Sequence, residues 1–248
     1  MIWSSFVVLL VSMGLGYYNF RGEPFNSETM CPVSGADGVT VLLIDVSDPL
    51  SFSQEAKFKR LLRSKTNPVV PKRHRLDAYL VPETGVKPPL LFSICNPGNL
   101  ETASTSEKLN QNARAFNLKW DNFLGELQTA LDEVAQQNTN KSSPITETLD
   151  YVTSSSLPPI ETTLERPQDY RVFIVSDMLQ NSKNLSVFSS KGISPDTKIE
   201  HALLYGGETY VFNLKSEKYS NKQTSDLLLF WEHTIDGAGS RLMAWETW

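Results

Sequence analysis

The chain has 248 residues, of which 40% are hydrophobic, 10% aromatic and 21% charged, with a net charge of −5 and a pI near 5.3. This composition supports one sizeable buried core rather than two and excludes a disordered polymer. Its acidic balance disfavours nucleic acid as a partner, since phosphate binding calls for an excess of Lys and Arg.

The stretch from Ile2 to Tyr18 is apolar or small and carries no charge. At about 1.5 Å per helical residue, roughly 17–19 residues just cross a hydrocarbon core. Trp3 stands at one end and Tyr17, Tyr18 and Phe20 at the other, where amphipathic rings favour the membrane interface. No Lys or Arg precedes the run and no A-x-A-like site follows it, so an uncleaved anchor over residues 1–20 is expected rather than a signal peptide. A buried core helix is the simpler alternative. Residues 21–38, with Gly, Pro, Asn and Ser, read as a linker, and residues 39–248 as the folded domain.

Val39 to Ile44 is a continuous apolar run, the pattern of a strand buried on both faces of a parallel sheet. It ends in Asp45-Val-Ser-Asp-Pro-Leu-Ser51. Residues 52–64 have helical spacing, and Leu76 to Val81 and Leu90 to Cys95 read as strands. Residues 107–137 form the longest helical pattern. After a polar break, Pro144 suits a first helical turn with Ser143 as its N-cap, opening a helix over 144–153. Arg171 to Val175 is a second buried strand and ends in Ser176-Asp177. Helix is expected over 195–205 and 223–235, and strand over Thr209 to Leu214 and Leu242 to Trp245. Alternating strands and helices predict an α/β domain with a doubly wound, mainly parallel, Rossmann-like sheet.

Ligands of such sheets bind at the carboxyl ends of the central strands. Two strands here end in carboxylates, Asp45-x-Ser47-Asp48 and Asp177, and Ser143 opens a helix between them. Together they supply hard oxygen donors of the kind Mg²⁺ prefers, with Mn²⁺ and Ca²⁺ as alternatives. Each residue also has a plainer reading. Asp45 and Ser47 could cap the next helix, Asp177 could organise a turn, and Asp48 before Pro49 is a common turn pair. The three histidines, His74, His201 and His233, lack zinc-site spacing. No P-loop, G-x-G-x-x-G or G-x-S-x-G motif is present.

These residues resemble the von Willebrand A family and its metal-ion-dependent adhesion site. Asp45 and Ser47 match the first two positions of the family's D-x-S-x-S motif, whereas Pro49 replaces the third. Ser143 before Pro144 matches the family's helix-opening Thr, and Asp177 matches its Asp after a buried strand. Asp48 and Ser51 are out-of-register substitutes for the missing hydroxyl. The Asp48-Pro49-Leu50 run also resembles bacterial, membrane-anchored von Willebrand A-like proteins to which no activity attaches. The resemblance spans roughly residues 38–248. It implies a metal held by Asp45, Ser47, Ser143 and Asp177, with Asp48 as a further candidate, that accepts a carboxylate from a protein partner.

Two cysteines, Cys31 and Cys95, each lie beside Pro and near Gly. They are compatible with one disulfide in an oxidising compartment, or with two free thiols. The basic stretch from Lys57 to Arg75, read by the positive-inside rule, would put the domain in the cytoplasm. The cysteines favour an extracytoplasmic, periplasmic domain, and the second placement is the expectation. The same basic stretch suits either anionic lipid or a solvated helix face.

Three functions follow. The first is a membrane-tethered protein-binding module that engages an acidic group through a divalent metal. The second is a metal-dependent hydrolase of phosphoesterase type, with Asp48 as base or nucleophile. It ranks lower because no second dense carboxylate or histidine cluster accompanies it. The third is a metal-free structural scaffold, which Pro49 favours.

Overall fold

The computed structural model describes residues 24–248, apart from 46, 49, 65–68, 104, 106–112, 136–141, 158–168, 200–203 and 205. The expected anchor, residues 1–20, lies outside the described residues. Among those described, no helix is long and apolar enough to cross a membrane.

Among the described residues, six strands form one sheet: β1 (Gly38–Ile44), β2 (His74–Leu80), β3 (Leu90–Cys95), β4 (Asp169–Ser176), β5 (Glu208–Asn213) and β6 (Arg241–Thr247). Their order is β3-β2-β1-β4-β5-β6. Every neighbouring pair is parallel except β2 with β3. The exception has a local cause: residues 81–89 are too few for a crossover connection, which takes about a dozen or more, so β3 must return antiparallel.

Among the described residues, four helices flank the sheet: α1 (Phe52–Leu62), α2 (Ala113–Ala135), α3 (Ile145–Ser155) and α4 (Ser225–Gly237). β1 lies between β2 and β4, and all seven of its residues are buried. This explains its unbroken apolar run, because helices cover both faces. Its side chains alternate between two cores. Val39, Val41 and Leu43 pack with Ile145, Leu149 and Val152 of α3 and with Phe230 and Trp231 of α4. Leu42 and Ile44 pack with Phe58 and Leu62 of α1 and with Trp120 and Phe123 of α2. The sheet is therefore covered by α3 and α4 on one face and by α1 and α2 on the other.

The helix expected over 195–205 is not found where the chain is described: residues 194–199 form turn and irregular backbone. Ser194 N donates to the Thr197 hydroxyl at 3.0 Å, and Thr197 N donates back to Ser194 O at 3.0 Å. Ser and Thr side chains compete in this way with helical hydrogen bonds. The residues expected as a linker lie against the sheet over 24–37. Cys95 N donates to Thr29 O at 2.8 Å, and a disulfide joins Cys31 to Cys95 with Cα atoms 4.7 Å apart. Cys95 faces Arg75 near the start of β2, so this attachment is at the amino-terminal end of the parallel strands.

Four of the basic residues between Lys57 and Arg75 are engaged within the chain. Arg73 pairs with Asp37 at 2.7 Å, Arg75 with Asp77 at 2.8 Å, and Lys59 with Glu55 and Asp132. Arg63 donates to Gln128 at 2.7 Å.

Candidate functional site at the switch point of the sheet

The chain order of the strands reverses between β1 and β4, and the crevice beyond their carboxyl ends is where open α/β sheets bind ligands. Asp45 follows β1 directly, and Asp177 follows β4 directly. Both are buried, at 2% and 5% exposure.

Asp45 is fixed from three directions. Its Oδ1 accepts the Ser47 backbone N–H at 2.9 Å. Its Oδ2 accepts the Ser143 hydroxyl at 2.5 Å and the Ser176 hydroxyl at 2.8 Å. Ser143 is placed by a backbone pair with Asn181, N to O at 2.9 and 2.8 Å in the two directions. The expected N-cap role of Ser143 is corrected by this geometry. Helix α3 begins after Pro144 with no side-chain cap, and the Thr146 N–H is met by Gln180 Oε1 at 3.0 Å instead. The Ser143 hydroxyl is thereby left to Asp45. The capping alternative for Asp45 and Ser47 fails in the same way. The N-cap of α1 is Ser51, in a capping box with Gln54.

Asp177 accepts the Leu179 N–H at 2.9 Å through Oδ1. Burial, reinforced by the nearby charges of Asp45 and Asp48, pushes its carboxyl up to about 8. Among the described residues no Lys, Arg or His pairs with Asp45 or Asp177. Met178, the next residue, is fully buried with φ +60°, a left-handed conformation that costs energy for any side chain. Three bonds hold it: its N–H donates to the Ser176 hydroxyl at 2.8 Å, and its carbonyl accepts Trp231 Nε1 at 2.9 Å and the Gln180 N–H at 3.1 Å. Such strain persists where the surroundings over-determine it, often at functional sites.

A cavity of about 410 Å³ opens here, and Asp45, Ser47, Asp48 and Asp177 line one side of it. The other side is the segment after β5, including Lys215, Ser216 and Lys218. Asp48 spans the two sides, its Oδ2 accepting the buried Ser216 hydroxyl at 2.7 Å. Gln223 Nε2 braces the site from behind, donating to the carbonyls of Asp177 and Leu214 at 3.0 and 2.7 Å. Asp45, Ser47, Asp48 and Asp177 thus share the cavity, and Ser143 touches it through Asp45.

Sequence reasoning passed over Ser176, Gln180, Ser216 and Gln223. Ser176 had one signal, its place in the Ser-Asp pair at a strand end. The others act through long-range contacts that no local pattern marks.

Among the described residues no group of three or more His, Cys, Asp or Glu side chains gathers as a metal cluster. The donors at the cavity are a mixed set, the carboxylates of Asp45, Asp48 and Asp177 with serine hydroxyls. Two buried carboxylates beside each other, without a cationic side chain, are costly while both are ionised. A divalent cation would remove that cost, so the donor chemistry fits a hard ion. No known family profile matches the chain, and no curated protein matches it.

Proposed function

We propose that this protein is a membrane-tethered, von Willebrand A-like binding module whose Asp45-centred cavity holds a divalent cation and presents it to an acidic group of a partner protein. The observation that carries the reading is the pair of buried carboxylates, Asp45 and Asp177, side by side at the switch point of the sheet and facing a cavity. Asp45, Ser47, Ser143 and Asp177 would hold Mg²⁺ or a similar ion. Bound there, the ion supplies an electrophilic centre for an incoming carboxylate.

The chain's own groups have definable tasks. Ser143 and Ser176 orient Asp45 through its Oδ2. Leu179 N–H and the strained Met178 turn aim Asp177. Asp48, bonded to Ser216, keeps the β5 side of the cavity in place. Binding ranks above hydrolysis because no second acid–base cluster adjoins the carboxylates in the sequence. The strand order and the Asp45-x-Ser47, Ser143 and Asp177 pattern support the family reading, while Pro49 departs from it.

The tether reading rests on the uncharged apolar run from Ile2 to Tyr18. The described chain enters at the pole opposite Asp45, next to Cys31 and Cys95. A tether there would hold the cavity away from the bilayer. The Cys31–Cys95 disulfide favours an extracytoplasmic, periplasmic domain.

The test is thermal unfolding of the full chain in detergent, with Mg²⁺, Mn²⁺ or EDTA. Millimolar Mg²⁺ or Mn²⁺ should raise Tm for the wild type and not for Asp45→Asn or Ser47→Ala. Equal shifts in all three proteins, or none in any, would overturn the reading, the second result favouring a metal-free scaffold.

A further inference from the structure

The rim around the cavity carries features that the carboxylates do not explain. Phe52 is the most exposed large hydrophobic among the described residues, at 88%. It occupies the first position of α1, between Leu50, Ser51 and Gln54, which line the cavity. Isolated exposed hydrophobics are common, but the backbone that carries this one is fixed by the capping box on either side of it. Ser51 N donates to Gln54 Oε1 at 2.8 Å, Gln54 N to Ser51 Oγ at 3.3 Å, and Gln54 Nε2 to Trp248 O at 3.2 Å. A first helical turn favours Pro or an acidic residue. Phe52 fits neither preference and leaves its ring almost wholly in solvent.

Across the cavity, Lys215 and Lys218 are exposed while Ser216 between them turns inward. Lys218 Nζ sits 4.6 Å from the centre of the Tyr219 ring, and Tyr219 in turn contacts the half-exposed Phe188 at 4.9 Å. Lys215 has no acidic partner among the described residues. The result is an acidic centre with one aromatic flank and one flank on which Lys215 and Lys218 stand beside the exposed Glu217 and an aromatic pair. Aromatic side chains beside charges are common components of a protein-binding hot spot.

The geometry points to a specific occupant: a partner protein segment with two neighbouring acidic side chains and an adjacent apolar one. One carboxylate enters the cavity at Asp45 and Asp177, the second meets Lys215, and the apolar side chain packs on Phe52. The first of these contacts rests on the cation reading above, whereas the other two stand on Lys215 and Phe52 alone.

The probe is a capped pentapeptide, Gly-Phe-Asp-Glu-Gly, compared with its Asn-Gln counterpart and titrated calorimetrically into the full chain in Mg²⁺ and in EDTA. The acidic peptide should bind and the amide peptide should not. Lys215→Glu and Phe52→Ser should each weaken binding about fivefold or more. Leu118→Ser, at an exposed position of α2, should leave it unchanged, and unaltered Tm values will show that all three variants fold. Absence of peptide binding at millimolar concentration, or equal affinity in Lys215→Glu and Phe52→Ser, overturns the inference. A Tm rise with Mg²⁺ alongside either result leaves the cation reading standing. Peptide binding that persists in EDTA but is lost in Lys215→Glu supports this rim while removing the cation.

Discussion

The Ser143 hydroxyl reaches 98 residues back along the chain to donate to Asp45 Oδ2 at 2.5 Å. Ser176 donates to the same oxygen at 2.8 Å, from 131 residues away. Three elements of the fold, the ends of β1 and β4 and the start of α3, thus converge on one carboxylate oxygen. Its orientation is set by neutral donors, so its charge remains available to the cavity.

Removing that acceptor should cost stability as well as any ion. Asp45→Ala leaves two buried hydroxyls without their partner, and a stranded buried polar group costs about 1–3 kcal/mol. We expect an unfolding free energy lower by about that amount in the absence of metal, read as a lower urea midpoint with an unchanged m-value. A midpoint equal to that of the wild type would mean that Ser143 and Ser176 are not held by Asp45.

Asp177 should behave in the opposite sense. Its carboxyl is raised from 3.8 to about 8, chiefly by burial and then by the Asp45 charge. A raised folded value means that stability is fully present below the unfolded pKa and is lost as pH rises through the folded one. The Asp177 contribution to metal-free wild-type stability should therefore be lost steadily from about pH 4 to pH 8. Asp177→Asn should remove that slope and unfold at a higher temperature at pH 8. Each kcal/mol corresponds to roughly 2–4 °C in a domain of this size. If Asp45→Asn leaves the wild-type slope intact, the two carboxylates are not coupled.

Ion binding should carry the same titration. A cation competes with the Asp177 proton, so apparent Mg²⁺ affinity should climb with pH up to about 8 and then level. Calorimetry in buffers of different ionisation enthalpy would show proton release on binding, and no release at pH 7 would exclude Asp177 as a ligand.

His74 provides a second pH response at the far end of the sheet. It is buried, with Nδ1 3.4 Å from Thr40 Oγ1 and Nε2 3.6 Å from Asp169. Burial lowers its pKa below 6.5, against the pull of Asp169 and Asp37 and aided by Arg171. A lowered folded value gives stability that is present above the unfolded pKa and is lost as pH falls through the folded one. The His74 contribution should fall below about pH 6.5, opposing the gain from Asp177 over the same range. His74→Gln should lack that component when the two are compared between pH 5 and 7.

Packing at this end is tight enough to test separately. A Cβ at Gly38 would meet Asp169 O at 2.2 Å and the His74 ring at 2.5 Å. Gly38→Ala should destabilise by about 1–3 kcal/mol, the usual cost of overpacking. An unchanged urea midpoint would show that β1 and β4 can separate to admit a methyl group.

The disulfide closes a sequence separation of 64 residues. On the chain-entropy account such a link stabilises by about 4 kcal/mol. Cys31→Ser with Cys95→Ser should lower the urea midpoint accordingly, while the Mg²⁺ response at the opposite pole should be retained. Loss of that response in a protein that is still folded would mean that the two poles are coupled.

The legible parts of this chain are those whose burial is symmetrical. β1 and β4 could be read from Val39–Ile44 and Arg171–Val175 because both faces of each strand are covered, leaving no polar position to break the run. Asp45 and Asp177 stood out because each ends such a run. Less legible were elements set by hydrogen bonds between distant residues. Ser143 carries the local signature of an N-cap, yet Gln180 takes that task and frees its hydroxyl. Residues 195–205 had helical spacing, but the Ser194–Thr197 turn overrides it at the start.

By itself, then, the sequence determined the alternation of strand and helix, the apolar central strands and the carboxylates at their ends. All of these follow from local periodicity and from the change from apolar to polar at a strand terminus. The tertiary structure decided which donors surround Asp45, the burial that raises Asp177, that Cys31 and Cys95 are bonded rather than free, and the cavity shared with Lys215. Those properties depend on the strand order and on parallel register, which bring residues more than a hundred positions apart within hydrogen-bonding distance. No window of sequence contains both partners of such a contact.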